Sequence, residues 1–365
     1  MVANSLIKRD KKRPPKPILT KLDVVFNLSP CRTSPRGSLH FCRNSKDQDL
    51  TPMAKADRQP LYRYWQPRFW PAWLGIGLLR LSCFLPYRWQ LGLGKSLGRL
   101  GHRLSAKRRA IARLNIELCF PALSPSERDK LVYEHFEAMG ASIMEFALGR
   151  WSSIEKLREI STVTGIENVQ QALDDGHNVI LLSAHFTTLE ISGRVFSEHV
   201  PPFDIVYRPF RNPLMTELIA SGREVSGRKA IQKNDIKSMV RSLREGVPVW
   251  YAPDQAYHLK QSALLPFFGV PAMTNTATTT LARLGKAVAV PFLPRRLPEG
   301  GYELTLLPPI EGLPSDDPAE DTRKYLAVLE DHIRKCPEQY YWVHRRFKNR
   351  PEPLPDAYAD LDSLK

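Results

Sequence analysis

Residues 178–190 read NVILLSAHFTTLE. Val179 to Leu182 form an unbroken apolar run, followed by small residues, His185, two threonines and Glu190. An apolar run of that length without alternation is the pattern of a strand buried on both faces. In an open α/β sheet, ligands gather beyond the carboxyl ends of the strands, where polar side chains converge without cost to the core. The stretch therefore predicts a central strand that ends in a site.

Working outward, short strands and helices alternate. VTG at 163–165 reads as a strand, and IENVQQALDDG as a helix closed by Gly176. After the central stretch, ISGRVFSEH reads as a helix, FDIVYRP as a strand, SMVRSLREG as a helix closed by Gly246, and VPVWYAPD as a strand. TATTTLARLG is a helix, AVAVPFLPRRL and GYELTLLPP are strands, and AEDTRKYLAVLEDHIRKC is a final helix. That order predicts an α/β domain with a mixed sheet flanked by helices. Upstream, residues 105–151 carry a helical period, with Ile111, Leu114 and Leu118 on one face. Ser124, Pro125 and Glu127 form a capping-box start for a second helix there.

Composition bounds the function classes. The 365 residues are 42% apolar and 25% charged, enough to bury a sizeable core. The net charge of +15 calls for an anionic partner: nucleic acid, an anionic membrane surface or acidic substrates and proteins. Residues 1–52 hold 11 Lys/Arg against 4 Asp/Glu, so nearly half the excess sits in a polar, proline-containing leader. The remaining body is only moderately basic, which weakens a nucleic-acid reading. Residues 1–52 read as a disordered tail, either a targeting segment or an over-extended start ahead of Met53. Five scattered cysteines without a C-x-x-C pair argue against a disulfide framework or a zinc site.

Residues 69–87, FWPAWLGIGLLRLSCFLPY, are the most apolar stretch, and Trp and Tyr crowd its leading edge. Such rings favour the membrane–water interface. Arg80 interrupts the run, which falls short of the roughly 20 residues a span requires. A short span, an interfacial helix and a buried core helix all fit, with the clustered Trp and Arg favouring membrane. The expected division is 1–52 tail, 53–100 membrane anchor region, 101–353 catalytic domain and 354–365 tail.

Three segments end expected strands with polar residues: SAHFTTLE (183–190), VYRPFRNP (206–213) and WYAPDQ (250–255). His185 and Glu190 form an H-x-x-x-x-E pair. Imidazole is a usable base near neutral pH, and a carboxylate on its second nitrogen fixes the tautomer. The spacing permits contact if the chain turns sharply into a helix capped by Thr187 or Thr188. Chance supplies about one such match from the composition. His199/Asp204 is a second, but it lies in a proline-rich connection. No G-x-S-x-G elbow, Walker A motif or metal motif accompanies the pair. Arginines supply anion-binding capacity at Arg208, Arg211, Arg223, Arg228, Arg295, Arg296, Arg345 and Arg346, each of which alone is accounted for by a solvated basic face. YWVHRRF (341–347) interleaves them with aromatics.

Seven segments in order resemble the lauroyl-type lipid A biosynthesis acyltransferases of Gram-negative bacteria. They are PRFWPAWLGIGLLRL, RRAIARLNIELCFP, SAHFTTLE, VYRPFRNPL, REGVPVWYAPDQ, ATTTLARLGKAVAVPFLPRRLP and PEQYYWVHRRFKNRPE. The resemblance runs from about Tyr62 to Pro353. It implies a glycerol-phosphate-acyltransferase-like fold with an N-terminal membrane-associated helix, working on the cytoplasmic side of the inner membrane. It implies an acyl carrier protein thioester as donor, a Kdo-bearing lipid A precursor as acceptor, and neither cofactor, metal nor nucleic acid. His185 and Glu190 match the family's catalytic motif, as general base and orienting carboxylate. Arg223 and Asp254 match positions important for activity and, with Arg208, Arg345 and Arg346, form the expected substrate-binding set. A late acyltransferase of another chain length or position, or a thioesterase using the same pair on water, is the alternative.

Overall fold

The computed structural model describes residues 60–200, 202–210, 212–224 and 228–361, without the side chains of 223 and 224. The expectations for residues 1–52, the start of the anchor region and the last four residues lie outside these. The N-terminal part is helical: α1 (Trp70–Ser82), α2 (Tyr87–Leu104), α3 (Ala106–Cys119), α4 (Pro125–Trp151) and α5 (Ile154–Glu159). Alternating strands and helices follow, beginning β1 (Ser161–Thr164), α6 (Ile166–Asp174), β2 (Asn178–Leu182), α7 (Leu189–Phe196), β3 (Asp204–Tyr207), α8 (Pro213–Glu224) and β4 (Ala230–Gln232). The chain continues through α9 (Ile236–Arg244), β5 (Val249–Tyr251), β6 (Ser262–Phe267), β7 (Val270–Asn275) and α10 (Ala277–Gly285). It closes with β8 (Ala287–Arg296), β9 (Tyr302–Leu306) and α11 (Pro318–Lys335).

Seven strands form one mixed sheet in the order β1-β9-β8-β2-β5-β3-β4, and only the β8/β9 pair is antiparallel. β2 lies at its middle, with Val179 to Leu182 wholly buried, as the unbroken apolar run requires. The expected α/β class with a mixed sheet flanked by helices is what forms. β4, α8 and the β6/β7 hairpin were not anticipated. The hairpin sequence carries Pro266 opposite Pro271, residues that argue against a strand, yet Phe268 and Gly269 both adopt positive φ and close a two-residue turn.

The expected helix over 69–87 does not form as one piece. The 13 residues of α1 rise about 20 Å, against a hydrocarbon core of about 30 Å. Among the described residues no helix is long and apolar enough to cross a membrane. The break falls before Pro86, which sits at the N-cap of α2.

α4 is the spine of this part. Its 27 residues begin with the anticipated capping box: Ser124 Oγ accepts from Glu127 N–H at 3.3 Å, and Glu127 Oε2 accepts from Ser124 N–H at 2.7 Å. α2 lies on it through bare backbone. A Cβ on Gly98 would stand 2.1 Å from the Phe136 carbonyl oxygen, and one on Gly140 would stand 2.1 Å from that of Gly94. Gly98→Ala is therefore expected to destabilise by at least about 3 kcal/mol, because two backbones have to separate. Gly92→Ala, where a Cβ meets nothing within 4 Å, should be neutral or stabilising by up to about 1 kcal/mol. Denaturant unfolding of the two variants measures the difference.

Candidate active site

β2 and β5 are neighbours, paired Leu181 to Trp250 and Leu182 to Tyr251. Ser183 N–H continues the ladder to Tyr251 C=O at 2.9 Å. Both strands run in the same direction, so the residues just beyond them emerge side by side. On β2 that residue is His185, and on β5 it is Asp254. His185 Nδ1 lies 2.6 Å from Asp254 Oδ1, and the His185 backbone N–H donates to Asp254 Oδ2 at 3.2 Å. Tyr340 O–H donates to Asp254 Oδ2 at 3.1 Å. An ionised carboxylate only accepts, so His185 Nδ1 carries a proton toward Asp254 and Nε2 is the nitrogen left to face a substrate. Tyr341 N–H donates to His185 C=O at 3.0 Å and Thr187 N–H to Gln339 C=O at 2.9 Å, clamping the turn that carries the ring.

Asp254 is 1% exposed, whereas the His185 side chain keeps 15% of its surface. Burial raises the Asp254 carboxyl, but the His185 charge and hydrogen bonds, with Arg346, outweigh it and hold the carboxyl below the usual range. Burial pushes the Tyr340 phenol up, as does Asp254, so it stays a donor. The result is an imidazole fixed by a carboxylate on Nδ1, with Nε2 as the nitrogen that remains for substrate.

The expectation that Glu190 orients His185 is corrected by this geometry. The His185 Nδ1 is taken by Asp254. Glu190 is buried in the first turn of α7, whose backbone lies against Gly149 of α4. Thr188 occupies the N-cap of α7, but its hydroxyl makes no capping bond, contrary to expectation. Asp254, expected to bind substrate, instead positions the histidine. Arg346, expected likewise, is 2% exposed and is a core strut: it donates to Met273 C=O at 3.1 Å and Thr274 Oγ1 at 2.7 Å, and stacks on Phe267. Arg296 is also structural, ion-paired with buried Glu145 at 2.6 Å. Asp204, set beside His199 by spacing alone, is buried on Ser242.

Arg208 is exposed at the end of β3, and Lys233 N–H donates to Tyr207 C=O, which places these two cations on adjacent strand ends. Burial lowers the Lys233 ammonium, aided by Arg208 and Lys348, and burial lowers Lys348, aided by Arg208 and Arg345. Arg208, Lys233, Lys348 and Arg345 are thus near enough to influence one another's charge. Arg345 also stacks on Tyr358 at 5.4 Å. Arg223 falls within α8, its side chain outside the described set. His344 accepts from Ala256 N–H at Nε2 (3.3 Å). Lys233, Tyr340, His344 and Lys348 escaped the sequence reading as site residues, because only the packing of residues 339–348 onto the strand ends brings them there.

Residues 58–349 match the family profile described as bacterial lipid A biosynthesis acyltransferase. The chain belongs to that family. The acyltransferase is 41% identical to the lipid A biosynthesis lauroyltransferase of Escherichia coli (strain K12), over 80% of this chain and 96% of that one. It is 36% identical to the palmitoleoyltransferase of the same organism, over 83% and 97%, and 27% identical to its myristoyltransferase, over 82% and 94%. Among solved structures, the 1-acyl-sn-glycerophosphate acyltransferase PlsC of Thermotoga maritima aligns with the acyltransferase at a TM-score of 0.32 and 15% identity, over 64% of this chain and 99% of that one.

Proposed function

We propose that this acyltransferase moves a lauroyl chain from the thioester of acyl carrier protein to a hydroxyl of a Kdo-bearing lipid A precursor, on the cytoplasmic face of the inner membrane, in a fold of the glycerol-phosphate acyltransferase type. The observation that carries the chemistry is the 2.6 Å contact between His185 Nδ1 and Asp254 Oδ1. A lipid hydroxyl is a weak nucleophile near neutral pH. His185 Nε2 takes its proton as the oxygen attacks the thioester carbonyl carbon. Asp254 holds the ring and stabilises the imidazolium. The tetrahedral intermediate collapses, the C–S bond breaks, and the departing thiolate takes the proton from His185, leaving an ester. Glu190, five residues beyond the histidine, is a second carboxylate, buried in the first turn of α7. The cations at Arg208, Lys233, Arg345 and Lys348 suit phosphates and carboxylates on the acceptor, with Arg223 a further candidate. Lauroyl is favoured because identity falls from the lauroyl- to the palmitoleoyl- to the myristoyltransferase.

The test is to incubate purified protein with a Kdo–lipid A precursor and a panel of acyl carrier thioesters, and to weigh the products, with His185→Ala as the inactive control. Lauroyl ester on the precursor supports the reading. Free fatty acid released at the same rate without acceptor would overturn it in favour of a thioesterase.

A further inference from the structure

Residues 341–350 form neither helix nor strand, yet Trp342 and Val343 within them are buried. Buried irregular backbone still needs partners for its carbonyls. α3 supplies them from its side chains. Asn115 Nδ2 donates to Trp342 C=O at 2.6 Å and to His344 C=O at 2.7 Å, and Arg108 donates to Val343 C=O at 3.3 Å. Three successive carbonyls are thus held from one helix. Carbonyl oxygens only accept, so the Asn115 amide is fixed with its nitrogen toward them and its oxygen away. That oxygen accepts from Tyr358 O–H, and the Tyr358 oxygen accepts in turn from Phe347 N–H at 3.0 Å. Asn115 and Tyr358 are both fully buried. The chain returns to α3 through a turn that Arg350 closes on Pro355 C=O at 2.6 Å. Burying an amide and a hydroxyl is unfavourable beside apolar residues of like size unless their bonds offset it. What these bonds deliver is a segment held in one place.

That segment is the one that grips the catalytic pair. Tyr340 O–H holds Asp254, Tyr341 N–H holds His185 C=O, and His344 Nε2 accepts from Ala256, two residues beyond Asp254. Asn115 bonds His344 itself and Trp342, the residue next to Tyr341. Asn115, Asp254, Tyr340 and His344 line one small internal space. A shift of the amide therefore moves all three grips together. We infer that Asn115 and Tyr358 are positioning residues for acyl transfer: their clasp seats residues 340–344 against the ends of β2 and β5, and through them aligns His185 with Asp254. The inference rests on the general base proposed above.

Steady-state transfer to the lipid precursor, measured where each variant is fully folded, tests it. Tyr358→Phe keeps the ring that Arg345 stacks on and removes only the hydroxyl. It should lower kcat about tenfold, and Asn115→Ala about 100-fold, since small displacements of reacting groups slow the chemistry steeply. KM for both substrates should stay within about twofold, because the loss lies in the transition state. Ser242→Ala removes another buried hydroxyl, bonded to Asp204 at the far end of the parallel strands, and should keep wild-type kcat. Tyr340→Phe completes a double-mutant cycle. If the clasp acts by seating residues 340–344, Tyr358→Phe/Tyr340→Phe loses less than the product of the two single losses, whereas a general weakening of the fold leaves the losses independent. If Asn115→Ala fails to fold, Tyr358→Phe alone is read. Wild-type kcat in folded Tyr358→Phe, or a double variant whose losses multiply, would overturn the inference. Activity retained by His185→Ala would instead overturn the base assignment itself, so the two failures are told apart.

Discussion

Asp254→Asn is expected to lower kcat by about 10³- to 10⁴-fold, close to the effect of His185→Ala, with little change in thermal stability. The reason is the tautomer. The carboxylate accepts from Nδ1–H at 2.6 Å and is itself held by Tyr340. The asparagine amide can turn its N–H₂ toward the ring, which makes Nδ1 the acceptor and moves the proton to Nε2. The nitrogen that should take the hydroxyl proton would then already carry one. Steady-state transfer to the lipid acceptor measures this. Tyr340→Phe, which removes one donor but keeps the carboxylate, should cost about tenfold or less. A loss below tenfold for Asp254→Asn, alongside a loss above 10³-fold for Glu190→Gln, would return the orienting role to Glu190.

Acid should unfold this protein from a mildly acidic pH, well above the range where carboxylates protonate. Three histidines are buried neutral. Burial lowers His135 to about 4, His332 to about 4 and His344 to about 3. His135 Nδ1 lies 3.0 Å from Glu338 C=O, and its Nε2 is buried without a hydrogen-bond partner among the described residues. His332 Nε2 lies 3.0 Å from Pro294 C=O, and His344 Nε2 accepts from Ala256. In the unfolded chain all three protonate near pH 6.5. Below that pH the unfolded state binds protons the native state refuses, so stability falls as pH drops, until the native rings titrate near 3 to 4. Each group contributes up to about 1.4 kcal/mol per pH unit, or roughly 6 kcal/mol for the three at pH 5. Urea midpoints at pH 7.5, 6.5 and 5.5 measure the slope, and His135→Gln should remove about a third of it. A flat profile over that range would refute neutral burial of these rings.

The regular elements were legible where period and punctuation agreed. Val179–Leu182 read as an interior strand, and Ser124 with Glu127 announced the start of α4, because both signals are local. The β6/β7 hairpin was not legible, since its prolines speak against a strand and only the partner strand makes them tolerable. The 69–87 stretch misled for a related reason: apolar content was visible, but the break before Pro86 and the glycine face of α2 acquire meaning only against α4.

The site divides in the same way. By itself the chain of letters determined the α/β class, the position of His185 at the end of the central strand, and the wealth of arginine. It also held the seven ordered segments that point to the family. Only the tertiary structure decided which carboxylate serves the histidine, because spacing along a chain favours Glu190, five residues away, while pairing of parallel strands delivers Asp254 from 69 residues away. It likewise decided that Arg346 and Arg296 are core struts whereas Arg208 faces solvent, since a guanidinium's role depends on what surrounds it in space.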